Sequence, residues 1–225
     1  MHLFEAGHFQ EWVGCNTMVL LTLLQVAMQV FSPNSLKLLG FFLAVVLQCS
    51  ATTARADYEA GVNAAFDGDF ETAFREFSIA AEAGLDLAQY NLGILYFTGQ
   101  GVAQNLDAAF KWTEAAARQG HLDAQFNLAT LYYDGQGTPE DRDTAVTWFS
   151  QAGKAGHPDA AFVLAKMYQD GEHVAKDLVL AHVWVSMAAS NQQAEASSLQ
   201  QTLERQMDAE ELSQARRQFA IWQIE

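Results

Sequence analysis

One pattern of residues returns every 36 positions between residues 85 and 192. The phrase LGILYFTGQGV begins at Leu92, LATLYYDGQGT at Leu128 and LAKMYQDGEHV at Leu164. The same spacing relates three alanines and three tryptophans, namely Ala88, Ala124 and Ala160, and Trp112, Trp148 and Trp184. Self-similarity at a period of about 20–50 residues is the signature of a solenoid or array. We therefore expect stacked copies of one supersecondary unit.

The glycines that close each phrase resemble those of a phosphate-binding loop. A dinucleotide fingerprint needs a third glycine where this chain has Gln104, and the sequence contains no G-x-x-x-x-G-K-[ST] motif. A turn that is made three times is better interpreted as structural. We therefore predict no nucleotide site and no cofactor.

Each unit contains two segments with helical spacing. The first places Ala88, Leu92 and Leu95 at i, i+4 and i+7, and the second places Ala109, Trp112 and Ala116 at i, i+3 and i+7. Gly99 stands where the first helix should end, because glycine suits the left-handed residue that closes a helix. The second helix begins after a good N-cap residue in every unit: Asn105, Asp141 and Asp177.

The predicted fold class is therefore all-α, an α/α solenoid in which neighbouring helical hairpins share one core. Full units are expected at 85–120, 121–156 and 157–192, after a degenerate capping unit at 57–84. Two helices, 194–206 and 209–222, are expected to form a C-terminal cap over 193–225. Asp208 with Glu211 three residues later gives the second of these a capping-box start.

These residues resemble the Sel1-like repeat family, which is related to the tetratricopeptide repeat. The shared pattern is Ala-x3-Leu-[Gly/Ala]-x-[Leu/Met]-Tyr-x2-Gly, followed by Ala-x2-Trp-x3-Ala, and it covers 85–192. The resemblance implies a curved solenoid that binds proteins or peptides, often as an adaptor in the bacterial envelope. The last unit departs from the pattern, since His173 replaces the second turn glycine and Gln192 replaces the closing glycine.

Residues 1–56 differ sharply in composition from the rest. The apolar run LLGFFLAVVLQCS at 38–50 follows Lys37 and precedes Ala54-Arg55-Ala56. This arrangement predicts a secretory signal peptide that is cut after Ala56 and a periplasmic mature protein. Residues 1–27 lie upstream of such a leader, and we interpret them as a start-site artefact. The alternative is a membrane segment around 18–31, and a further alternative is a lipoprotein modified at Cys49.

Charge and cysteine content restrict the partners of the mature chain. Both cysteines, Cys15 and Cys49, lie in the leader, so residues 57–225 offer no disulfide and no thiolate metal ligand. Those residues carry ten Lys and Arg against 25 Asp and Glu. Phosphate neutralisation requires clustered basic residues, so nucleic acids and anionic lipid surfaces are poor partners. A basic protein partner is compatible with this charge.

The sequence offers little catalytic chemistry. It has no G-x-S-x-G, H-E-x-x-H or S-x-x-K motif, and the repeat period accounts for His121 and His157. Acid and imidazole groups cluster locally only at Asp170, Glu172 and His173, which occupy a turn of the repeat. We predict no catalytic residue and no metal site. The three repeated tryptophans are interpreted as core residues and not as a ligand-binding box.

A second stripe on the first helix of each unit is the candidate binding site. It comprises positions 90, 94 and 97 with their equivalents: Tyr90, Ile94, Phe97, Phe126, Thr130, Tyr133, Phe162, Lys166 and Gln169. First helices line the concave face in solenoids of this kind, so the resemblance places the stripe in the groove. The aromatic residues at 90, 126 and 162 either face the groove or pack between units, whereas Phe97 and Tyr133 are expected to face the groove.

Two functional hypotheses follow. The first is a non-enzymatic scaffold that binds a protein or peptide in its concave groove, outside the cytoplasmic membrane. The second is a hydrolase acting on cell-wall material, or a regulator of one. The sequence favours the first because it provides aromatic and amide groups on the stripe and no paired nucleophile and base.

Overall fold

The computed structural model describes residues 53–224, and within that range the chain forms ten helices and no strands. The helices are α1 (53–66), α2 (Phe70–Glu82), α3 (Asp86–Thr98), α4 (Leu106–Arg118), α5 (Leu122–Asp134), α6 (Arg142–Lys154), α7 (Pro158–Asp170), α8 (Leu178–Ser190), α9 (Ala196–Glu204) and α10 (Ala209–Trp222). From α2 to α8 each helix packs on the next, and α9 and α10 both pack on α8. The all-α solenoid predicted from the period is confirmed.

The first helix of each unit ends as the sequence predicts. Gly99, Gly135 and Gly171 have φ of 72°, 67° and 76°, which is the left-handed region. The N–H of each glycine donates a hydrogen bond to the carbonyl four residues earlier, so it satisfies one of the helix's free acceptors.

The second helices begin at the predicted caps. The side chains of Asn105, Asp141 and Asp177 each accept a hydrogen bond from the backbone N–H three residues later, at 2.9–3.0 Å. The final helix opens on a complete capping box formed by Asp208 and Glu211. These local predictions are confirmed. They could be made from the sequence because a helix cap depends on residues that are close together in the chain.

The second glycine of each turn allows a close approach between neighbouring units. A Cβ atom on Gly101 would lie 2.0 Å from the Phe70 carbonyl oxygen, and one on Gly137 would lie 2.1 Å from that of Leu106. His173 stands at the equivalent position of the last unit and keeps a positive φ of 60°. Gln192, which replaces a closing glycine, has a φ of 66°. Both substitutions therefore keep the glycine-type backbone at a cost in strain.

The core is built from small residues and one leucine per unit. Leu92, Leu128 and Leu164 are at most 1% exposed. They pack among alanines that let the helix backbones approach closely, and six of these alanines are fully buried: Ala88, Ala109, Ala124, Ala145, Ala160 and Ala181. The expected core role of the repeated tryptophans is confirmed for Trp184, which is 2% exposed. Trp112 and Trp148 are only half-buried, and they pack against the margin of the core.

The C-terminal helices cover the end of the solenoid. Trp222 of α10 packs edge-on against Trp184, with 4.8 Å between the ring centroids. The first of the two helices is shorter than predicted, Ala196–Glu204 against 194–206. A tight turn formed by Gln193 and Glu195 precedes it, in which the Glu195 N–H donates to the Gln193 side chain at 2.6 Å.

The predictions for the leader lie mostly outside the described residues. This applies to the apolar run 38–50, to the segment 18–31 and to Cys15 and Cys49. The predicted cleavage point after Ala56 falls within α1. Among the described residues, no helix has both the length and the apolar character needed to cross a bilayer.

Candidate protein-binding face

The first helices of neighbouring units are joined by stacked aromatic rings. Tyr90 of α3 stacks on His121, with ring centroids 4.4 Å apart and ring planes 21° apart. Phe126 of α5 stacks in the same way on His157, at 4.5 Å and 11°. Phe126 also contacts the buried Phe149 of α6 at 5.6 Å. Of the two alternatives open for Tyr90 and Phe126, the structure favours packing between units.

The two histidines have a second role that the sequence analysis missed. His121 and His157 are the N-cap residues of α5 and α7, and their Nδ1 atoms accept hydrogen bonds from the N–H of Ala124 and Ala160 at 3.2 Å. Burial lowers the pKa of His157, against an opposing effect of Asp123, whose carboxylate lies 3.5 Å from Nε2. An acceptor at Nδ1 requires the neutral ring with its proton on Nε2. The equal spacing of these histidines was the signal that could have revealed the role.

Buried amide side chains also connect consecutive units. The Gln89 side chain donates to the Ala81 carbonyl at 3.2 Å, and Gln125 donates to the Ala117 carbonyl at 3.3 Å. Gln119 then donates to the Gln89 side-chain oxygen at 2.7 Å. These bonds satisfy carbonyls near the C-terminal ends of the second helices, where the helix leaves acceptors free. Sequence analysis did not single out these glutamines, although the two buried ones keep the 36-residue spacing.

The other residues of the predicted stripe differ in exposure. Phe97 is exposed to 38%, and Leu87 on the same helix is exposed to 41%. Lys166 is exposed, whereas Ile94, Phe162 and Gln169 are half-buried. The Thr130 hydroxyl donates to the Phe126 carbonyl at 3.1 Å, one turn back along its own helix. The stripe is thus a mixed surface, in which Phe97 is the one large apolar side chain that is exposed, and Leu87 lies beside the stripe on the same helix.

Tyr133 is half-buried in a polar cluster that spans two units, in contrast to the open groove position expected for it. Its hydroxyl donates to the Glu172 carboxylate at 2.6 Å, and the Arg142 guanidinium lies 4.8 Å from the ring centroid. His173 approaches the same ring edge-on at 5.8 Å and contacts Arg142. The hydrogen bond from Tyr133 lowers the pKa of Glu172, and the same bond raises the pKa of Tyr133. The cluster joins the unit 121–156 to the unit 157–192, where His173 takes the place of glycine.

A serine, a histidine and a glutamate meet beside a cavity of about 300 Å³ at the C-terminal cap. The Ser186 Oγ lies 3.4 Å from His182 Nδ1, and His182 Nε2 lies 3.3 Å from Glu204. However, the Ser186 hydroxyl donates to the His182 carbonyl at 2.7 Å and accepts from Gln200 at 3.2 Å. Because its proton and its acceptor site are engaged, this serine is not placed as an activated nucleophile. The cluster instead connects α8 to α9.

Metal-binding chemistry is similarly sparse. Over residues 53–224, no three His, Cys, Asp or Glu side chains are grouped closely enough to hold an ion. The acid and imidazole groups at Glu172 and His173 are engaged with Tyr133 and Arg142.

Comparison with known proteins identifies the repeat. The Sel1 repeat family model matches residues 86–121, 122–157 and 158–192. A crystal structure of a Sel1 repeat protein from Oxalobacter formigenes is 30% identical, with a TM-score of 0.62 over 75% of this chain and 73% of that chain. The chain belongs to the Sel1-like repeat family. Sel1-like repeats generally mediate protein–protein interaction and are generally non-catalytic.

A second relative supports the fold alone. The structure of a protective antigen from uropathogenic Escherichia coli, described as having an SLR fold, is 23% identical to the present chain and superposes on it with a TM-score of 0.59. The match covers 70% of the present chain but only 39% of the antigen. No curated protein matched the chain.

Proposed function

We propose that this Sel1-like protein is a non-enzymatic scaffold that binds a protein or peptide on the face formed by its first helices, in the bacterial cell envelope. The observation that carries the proposal is the exposure of Leu87 and Phe97 on that face. Most large apolar side chains of the solenoid are buried between helices, and an exposed apolar group on a ridge of stacked helices is suited to an interface.

The alternative of a cell-wall hydrolase has weaker support. Its best candidate group is the cluster of His182, Ser186 and Glu204, in which the serine hydroxyl is bonded to backbone and amide groups. A hydrolytic serine needs a free hydroxyl within hydrogen-bond reach of its base. We therefore retain the scaffold as the proposed function.

The test compares two exposed apolar side chains, one on the first helix of a unit and one on a second helix. The full chain, carrying an affinity tag, is used to capture proteins from envelope extracts, and Phe97→Ala is compared with the wild type. Ile79 on α2 is exposed to 48%, against 38% for Phe97, so Ile79→Ala is the matched control on a second helix. We expect Phe97→Ala to lower the yield of specific partners, since interface aromatics can contribute about 2 kcal/mol or more.

The melting temperatures of both variants are measured alongside. Equal capture by the wild type and Phe97→Ala would remove the first-helix face as the binding surface. A large drop in the melting temperature of Phe97→Ala would instead assign that ring to packing between units.

The proposed compartment rests on the leader predicted from the sequence. Export across the inner membrane, followed by cleavage after Ala56, would release the solenoid into the periplasm. The absence of cysteine from residues 57–225 suits an oxidising compartment, where unpaired thiols are a liability.

A further inference from the structure

The exposed face of the first helices changes its chemistry along the chain. At the N-terminal end, α1 and α3 expose four large apolar side chains: Val62 at 41%, Phe66 at 91%, Leu87 at 41% and Phe97 at 38%. On α3, Leu87 and Thr98 are 11 residues apart, about three turns, so they lie on one line along the helix.

Carboxylates occupy this line in the next two units. The positions equivalent to Leu87 and Thr98 hold Asp123 and Asp134 on α5, and Asp159 and Asp170 on α7. All four side chains are exposed. Carboxylates on α5 and α7 therefore stand where α3 has the apolar Leu87 and the uncharged Thr98, so the exposed apolar side chains of α1 and α3 are followed along the chain by acidic ones.

From α3 to α7 the acidic excess lies on the first helices, whereas α2, a second helix nearer the N-terminus, also carries an excess, with Glu71, Glu76 and Glu82 against Arg75. Helices α3, α5 and α7 together carry five Asp and Glu residues and one basic residue, Lys166. Helices α4 and α6 carry three acidic and four basic residues. Solubility alone would not require the two sides of the repeat to differ in this way.

The arrangement restricts what can cover the face. A second copy that presented the same face would bring its own carboxylates against Asp123, Asp134, Asp159 and Asp170. An anionic lipid surface would be repelled in the same way. A segment with basic groups would be attracted and oriented by these carboxylates, since complementary charge steers association and fixes register.

We propose that the occupant is a segment of a partner protein with apolar side chains at one end and lysine or arginine side chains at the other. Its apolar end contacts Val62, Phe66, Leu87 and Phe97, and its basic end lies along the carboxylates of α5 and α7. This inference rests on the binding function proposed above and adds the chemistry and direction of the ligand. The apolar contacts provide burial, and the charged contacts select the orientation.

The experiment uses a displayed library of random dodecapeptides, selected on the immobilised full chain. We expect the enriched peptides to combine aromatic or aliphatic residues at one end with lysine or arginine at the other. A synthetic copy of the most enriched peptide then serves as the probe. Its Kd should increase by about tenfold or more when the salt rises from about 0.01 M to about 1 M, because the Debye length falls from about 30 Å to about 3 Å.

Two sets of substitutions test the position of the charge. One variant replaces the four face carboxylates with asparagine at Asp123, Asp134, Asp159 and Asp170. Its matched control neutralises four carboxylates on second helices with glutamine or asparagine at Glu82, Asp107, Glu114 and Asp143. The face variant should weaken peptide binding by about tenfold or more, and the control should leave it within about twofold.

The outcomes separate this inference from the function on which it rests. Enriched peptides that are apolar but not basic would overturn the inference and leave the binding function standing. Equal binding by the face variant and the wild type would have the same meaning. Selection of no peptide above background would overturn the peptide-binding function itself. Loss of self-association in the face variant, without peptide binding by the wild type, would assign the face to a second copy.

Discussion

Phe126 and His157 stack face to face across the junction between two units, with ring centroids 4.5 Å apart and ring planes 11° apart. The same imidazole caps α7 through Nδ1, and His157 is 6% exposed. One side chain thus joins neighbouring first helices and begins the second of them. The cap uses the neutral ring, because protonation of Nδ1 would remove the acceptor that caps the helix.

This arrangement predicts a pH dependence of stability. Burial holds the pKa of His157 below its ordinary value of 6.5, so the unfolded chain takes up the proton first as the pH falls. The unfolded state then binds more protons, and the free energy of unfolding decreases with falling pH. The loss should begin as the pH falls through about 6.5 and level off below the folded-state pKa. Urea unfolding midpoints between pH 7.5 and 5 measure it.

His157→Asn should reduce this slope, because asparagine can still cap the helix and does not titrate. The matched variant His121→Asn removes the equivalent stacked ring and histidine cap one unit earlier, so it controls for those contacts at a fixed pH. An unchanged slope in His157→Asn would assign the pH dependence to other groups.

Gln192 offers a stabilising substitution. Its φ of 66° is unfavourable for a residue with a Cβ, at a site where other units have glycine. Gln192→Gly should raise the free energy of unfolding by about 1 kcal/mol, after allowance for the larger unfolded-state entropy of glycine. Denaturant titration tests this, with Gly156→Gln as the reverse substitution at the equivalent position. A less stable Gln192→Gly variant would show that the glutamine side chain contributes more than the strain costs.

Two glycines separate backbone strain from steric contact. Gly120 and Gly137 both have positive φ, but a Cβ at Gly120 meets nothing within 4 Å, whereas one at Gly137 lies 2.1 Å from the Leu106 carbonyl oxygen. Gly120→Ala should therefore cost about 1 kcal/mol from strain alone. Gly137→Ala should cost a further 1–3 kcal/mol, roughly, because the turn must move away from α4. Equal losses of stability in the thermal unfolding of the two variants would mean that the turn at Gly137 can move away from α4 at no measurable cost.

Features that depend on residues close together in the sequence were predictable. The glycine turns and the Asn and Asp caps each need one residue type at one place, and the period repeats the evidence three times. The strained φ angles of His173 and Gln192 also follow, because the repeat aligns these residues with glycines.

Contacts between units were not predictable in the same way. Tyr133 reaches Glu172, which is 39 residues away, across a junction where histidine has replaced glycine. No periodic pattern indicates that bond, since the other units lack the glutamate. The half-burial of Trp148 was missed for a related reason. Equal phase in the repeat fixes the face on which a residue lies, but the neighbouring side chains decide how far it is covered.

Export remains a prediction from the leader. Expressed with its leader in a Gram-negative host, the protein should be recovered from the periplasm with Asp57 as its first residue. Cleavage there would leave Asp57 and Glu59 in the first turn of the shortened α1, where negatively charged side chains interact favourably with the helix dipole and stabilise the helix. Terminal sequencing and cell fractionation measure this. Recovery of an intact chain in the membrane fraction would favour the anchored alternative.

The repeated tryptophans should differ in their contribution to stability. Trp184 is 2% exposed and packs against Trp222, so Trp184→Ala should cost about 3–5 kcal/mol through lost burial and the cavity that remains. Trp148 has the same position in the preceding unit but is half-buried, so Trp148→Ala should cost less. Thermal and denaturant unfolding of the two variants provide the comparison, and the circular dichroism of each checks that the helices form. Equal losses would mean that position in the repeat, and not exposure, determines how much each tryptophan stabilises the fold.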